Sequence, residues 1–158
     1  MSPLSERALS IMVGQLGQKE NPIGSNWGRP VQNYLSSVGI FFPASWCMAL
    51  VYWSFNEAAG QLGLENPLMK TGGVLVQWHN RPKNQIVSLN WDLIEPGDIM
   101  IMDHGHGLGH TGMVEKKNID KTLGTVEGNT NDTGSREGIE VDRKIRHLTA
   151  PIIGFLRF

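Results

Sequence analysis

Hydrophobic periodicity changes character at Ile86 in this 158-residue chain, from helical spacing before it to short β-rich runs after it. Ser2-Pro3 predicts a capped helix start, with Leu4, Ala8, Ile11, Met12 and Leu16 on one face and Gly17 as the stop. Beyond the loop GQKENPIGSNWG, Pro30 opens a second helix carrying Val31, Tyr34, Leu35 and Val38, with Gly39 after it. A third helix, capped by Ser45, aligns Cys47, Leu50, Val51, Ser54, Phe55 and Ala58 and ends near Gly60. A shorter helical piece follows Thr71 through Val74 and Trp78, until Asn80-Arg81-Pro82 breaks it. The later runs GDIMIMD at 97–103, GHTGMVEKK at 109–117, TLGTVEGN at 122–129, GIEVDRKIRH and IIGFLRF predict strands. Helices first and strands afterwards predict an α+β fold, with helices packed against an antiparallel sheet rather than a doubly wound parallel one. Neither a repeat nor a low-complexity linker interrupts the chain, so residues 1–158 are expected to form a single domain.

Bulk electrostatics exclude the charge-driven partners. Fourteen basic against fifteen acidic residues give a formal charge of -1, so neither nucleic acid nor an anionic membrane is an expected partner. No stretch approaches the roughly 18 apolar residues that span a bilayer. The start MSPLSERALSIMVGQLG has neither the basic opening nor the long apolar run of a signal peptide, so no membrane insertion and no leader is expected. The single cysteine, Cys47, excludes an intrachain disulfide and a multi-cysteine zinc site, which leaves a buried small hydrophobe or a reagent.

A reactive thiol needs surroundings that favour thiolate, and the first turn of a helix supplies partial positive charge and free N–H groups. Cys47 is expected there. Its second requirement is an imidazole within hydrogen-bond reach. His110 opens the predicted strand GHTGMV, where flanking glycines would let substrate approach the backbone, while His104 and His106 fall in the turn DHGHGLG. His79 and His147 read as surface or helix-end residues. The third requirement is a group that fixes the imidazole tautomer. Glu127 and Asn129, two apart in TVEGN, would share a strand face and meet His110 from the neighbouring strand, although EGN also reads as a strand end entering the turn NTNDTG. Trp46, Trp27 and Asn26, with the 104–109 loop, are the candidates for lining a substrate groove; for each tryptophan a core position is the competing reading.

The motifs SWCMALVYW, PGDIMIMD, GHTGMVE and VEGNTN, in that order, resemble the CHAP group of cysteine, histidine-dependent amidohydrolases and peptidases, over roughly residues 40–131. The segment ENPIGSNWGRPVQNYL is similar to the lead-in of related hydrolases. NlpC/P60 relatives commonly use a histidine as third residue, and none stands in TVEGN, which favours CHAP. Trp46 departs from the pattern, which often has Gln there. The resemblance implies a papain-like α+β fold with Cys47 as nucleophile, His110 as base and Glu127 and Asn129 as polar partners. It implies an enzyme without cofactor or metal that hydrolyses amide bonds in bacterial peptidoglycan, in the stem peptide or cross-bridge or at the muramic acid linkage. Such an enzyme would act on the cell wall, periplasmic or extracellular, phage-borne or delivered by a secretion system. Two readings compete: a non-catalytic wall-binding or structural module on the same fold, and a metal-dependent hydrolase using His104, His106 and His110 with Asp98 and Asp103. Acyl transfer by the same thiol chemistry is a further one.

Overall fold

Ser2 caps the first helix by accepting a hydrogen bond from the Ser5 N–H at 3.1 Å, with Pro3 at the opening position, where its missing N–H costs nothing. The computed structural model describes residues 1–130 and 138–158. In it, helix α1 spans Pro3–Val13, α2 Arg29–Ser37, α3 Cys47–Leu62 and α4 Val74–His79. Strands β1 (Ile86–Val87), β2 (Ile99–Asp103), β3 (Gly109–Lys117), β4 (Leu123–Thr130), β5 (Glu140–Arg146) and β6 (Ile152–Leu156) follow. This is the expected α+β division, with β1 added as a two-residue strand pairing β6.

Two helix ends differ from expectation. α1 stops at Val13 rather than running to Gly17, because Gln15 and Leu16 turn back onto the Met12 and Val13 carbonyls. Gly17, at φ +84°, then donates to the Val141 carbonyl and leads the chain toward β5. At α3 the cap residue is Trp46, not Ser45, and no side chain caps the helix. Its other end closes after Leu62 on Gly63, a glycine in the left-handed conformation at φ +66°.

The six strands pair antiparallel in the order β1-β6-β2-β3-β4-β5. α1 and α2 pack on α3, which lies against β3 and β4, and α4 covers β2 and β3. Alternation along β2 divides the core: Ile99 and Ile101 join the helices, whereas Met100 and Met102 join Val87, Ile94, Val114, Leu123, Ile152 and Phe155 on the opposite face. Both faces of the central strands are therefore dry. Full burial of side chains such as Phe55 and Phe155 contributes about 2 kcal/mol each, which holds α3 and the sheet as one frame for whatever projects between them. The expected turn over 129–134 lies largely outside the described residues.

Candidate active site

Cys47 is the first residue of α3 and is buried at 4% exposure. Intrahelical bonding begins with the Leu50 N–H on the Trp46 carbonyl, so the N–H groups of Cys47, Met48 and Ala49 precede the helical ladder and meet no side-chain cap. An anion at the sulfur, or an oxygen bonded to its target carbon, would face that uncapped turn.

Trp46 sets the angle at which α3 begins. Its backbone N–H donates to Asn129 Oδ1 at 2.9 Å and its indole N–H to Glu20 Oε1 at 2.9 Å, while its ring tilts against Tyr34 at 5.7 Å between centroids. Gly128 admits it: a Cβ there would stand 2.7 Å from the indole ring and 2.5 Å from Leu50. Asn129 Nδ2 donates to the Gly138 carbonyl at 2.8 Å, so both polar ends of this amide serve the backbone and neither pairs with His110. The shared strand face expected for Glu127 and Asn129 fails for a local reason. The β4–β5 register shifts between Glu127 and Thr130, and Asn129 takes φ +55°, which turns its side chain out of alternation.

His110 is the second residue of β3, opposite Met102. Its Nε2 meets Glu127 Oε2 at 2.7 Å, with the two side chains 1% and 0% exposed. Nδ1 is buried and meets no hydrogen-bond partner among the described residues, while the Cys47 thiol lies near enough to the ring to favour its charged form. The carboxylate reaches the ring by crossing Gly112, its partner in β3; a Cβ at 112 would sit 2.5 Å from Glu127 Cγ. Gly109 is likewise filled from behind, by Val74 of α4, since a Cβ would come within 2.7 Å of it. These glycines admit other parts of the protein, not substrate as the sequence suggested.

Glu127 itself is fully ligated. Thr125 Oγ1 donates to Oε1 at 2.6 Å, Arg146 Nε to Oε1 at 2.7 Å and Arg146 Nη2 to Oε2 at 2.5 Å. Burial alone would raise this carboxyl, but the guanidinium and then the imidazole outweigh it and bring its pKa from 4.5 down to about 2. Burial also opposes charge on His110. The nearby Cys47 and the hydrogen-bonded, negatively charged Glu127 reverse that and raise its pKa from 6.5 to about 9. At neutral pH the ring is an imidazolium between a sulfur and a carboxylate, able to give a proton on one side while held on the other.

The model of the CHAP domain family matches residues 39–129, more than half of the chain. The chain belongs to the CHAP domain family. Among solved structures it is similar to a crystal structure of the wild-type endolysin LysIME-EF1, at TM-score 0.62 and 21% identity. The match covers 99% of this chain and 64% of the endolysin chain, so this CHAP chain spans less than two thirds of that protein, and the likeness establishes a shared fold. That fold is the α+β, papain-like arrangement expected from the sequence. No curated protein matches the chain.

Within this CHAP fold the three groove candidates separate. Trp46 is completely buried and belongs to the core, so it contacts no solvent-borne substrate. Asn26 is half-buried and gives its N–H to Glu20 Oε2 at 3.1 Å, tying its loop to the carboxylate that also holds Trp46. Trp27 does line a cleft, of about 280 Å³, with Gln32, Asn33, Ser36, Ile40 and Phe41. The sequence reading missed Arg146, Thr125 and Glu20. Only the alternation Asp142, Lys144, Arg146 hinted that an arginine shares a face with the cross-strand residues Thr125 and Glu127. The metal-site reading meets a different arrangement: Asp98 is bound to Arg157, Asp103 accepts from the Gly105 N–H, and His104 and His106 are exposed. Among the described residues no group of three or more His, Cys, Asp or Glu side chains is placed to hold a metal.

Proposed function

We propose that the chain is a cysteine amidohydrolase or endopeptidase that cuts amide bonds of bacterial peptidoglycan, with residues 1–158 as one catalytic unit acting on the wall from the periplasm or the exterior. The observation that carries this reading is the His110 ring, bound at Nε2 to Glu127 at 2.7 Å and interacting with the chain's single thiol, at the opening of α3. CHAP family membership and the fold shared with an endolysin support the wall as substrate.

In this mechanism the Cys47 sulfur attacks the amide carbonyl carbon, and electrons move to its oxygen, which the uncapped first-turn N–H groups of α3 stabilise. His110 then delivers its Nδ1 proton to the amide nitrogen as the C–N bond breaks, leaving a thioester and a free amine. Water attacks the thioester, giving its proton to Nδ1, and the C–S bond breaks to release the acid. Glu127 keeps the ring oriented through both proton transfers. Each well-placed oxyanion donor contributes about 3 kcal/mol of barrier lowering in such sites.

The test is release of muropeptides from purified sacculi, followed by mass spectrometry of the new termini. Cys47→Ala is expected to lower the rate by roughly a thousandfold or more with the fold intact. Lysis by Cys47→Ala at the native rate would sink the mechanism, and the released termini distinguish amidase from endopeptidase.

A further inference from the structure

Arg146 lies one strand beyond the proposed catalytic pair, and its geometry exceeds what an incidental ion pair requires. In the β4–β5 ladder it sits opposite Leu123, with Lys144 opposite Thr125 and Asp142 opposite Glu127, all on the face that carries His110. From there it reaches diagonally past Thr125 to place Nε and Nη2 on the two different oxygens of Glu127. A carboxylate offers about four acceptor sites. Here Oε1 takes the Thr125 hydroxyl and Arg146 Nε, while Oε2 takes Arg146 Nη2 and His110 Nε2. Rotating the carboxylate away from His110 breaks the planar fork as well as the imidazole bond.

We propose that Arg146, assisted by Thr125, is a positioning residue that locks the Glu127 carboxylate in one orientation, ionised and aimed at His110, so that β5 controls the proton chemistry at Cys47. The proposal rests on the cysteine hydrolase reading for its effect on catalysis, but not for its effect on Glu127 itself. Among the described residues, the charged and titratable groups facing Glu127 are His110 from β3 and Arg146 and Asp142 from β5, with Cys47 of α3 beyond the ring. Asp142 is itself paired to Lys144 Nζ at 2.8 Å. Among the described residues, Arg146 is therefore the cation whose removal leaves the buried carboxylate with His110 as its remaining positive partner.

The experiment compares Arg146→Gln and Arg146→Lys in the full chain by two readouts. The first is the pH profile of wall hydrolysis. In Arg146→Gln its acid limb is expected to move up by about one pH unit or more, because a carboxylate deprived of its cation protonates sooner. kcat is expected to fall about tenfold or more with KM within about twofold, since the change acts on the proton-transfer step. Arg146→Lys keeps the charge without the fork and is expected to fall between the two. The second readout is the carboxyl carbon resonance of Glu127, whose titration midpoint should rise from near 2 in the same order and needs no turnover. If Arg146→Gln does not fold, the lysine variant alone decides by the same two shifts. A midpoint that rises in a protein inactive on walls would reject the hydrolase reading and keep the positioning role. An unchanged midpoint and an unchanged acid limb in folded variants would overturn the proposal.

Discussion

Cys47 enters the site at the end of a helix whose first turn is held by an amide, an indole hydrogen bond and close packing, whereas His110 stands on a strand and is held by alternating charge. On the nucleophile's side, Asn129 and Glu20 grip Trp46 from its backbone and its ring. On the imidazole's side, Glu127 and Arg146 extend a line of opposite charges away from the ring. Packing restrains position and changes little with pH. Paired charges restrain protonation as well, and they fail when any member is neutralised.

The largest effect expected from this contrast is at Glu127. Glu127→Ala leaves buried His110 and half-buried Arg146 without their shared anion and should cost about 3 kcal/mol in denaturant unfolding. The wild-type advantage over that variant should also depend on pH in a defined sense. The Glu127 pKa is lowered on folding, so its contribution is fully present above about pH 4.5 and is lost as pH falls toward about 2. The His110 pKa is raised, so its contribution is fully present below about 6.5 and is lost as pH rises through about 9. Unfolding free energies measured from pH 3 to pH 10 should therefore peak between about 4.5 and 6.5 for the difference; a flat difference would contradict the charge-based half of the comparison.

Next comes Asn129, whose loss strands a buried N–H at Trp46 and a carbonyl at Gly138. Asn129→Ala should cost about 1 to 3 kcal/mol, with an activity loss that is constant from pH 5 to pH 8. A loss concentrated at one end of that range would place Asn129 with the charged half instead. Smallest is Glu20→Gln, which keeps an acceptor for the Trp46 indole and should cost about 1 kcal/mol in the same denaturation assay.

These contrasts also explain what could be read from residue order alone. The helix start at Cys47, the strand carrying His110 and the strand carrying Glu127 follow from local periodicity, and the strand bounds 109–117 match those of β3. Arg146 escaped because its partner lies on another strand, and which residues meet diagonally depends on a register set by many cross-strand pairs. Asn129 was misplaced by assuming unbroken alternation, which one left-handed residue and a register shift undo. For Trp46 the core reading holds over the groove reading: with Trp46 rather than Ser45 as the cap residue of α3, its ring turns inward to Glu20 and Tyr34.

Gly112 offers a filter for reading relatives of this chain. The space where a side chain would be is occupied by the stem of Glu127, so a sequence that keeps the cysteine, the histidine and the glutamate but carries even alanine at this position cannot seat the carboxylate by the same path. Such a relative would look complete in an alignment and still lack its orienting group, having either an idle site or a different third residue.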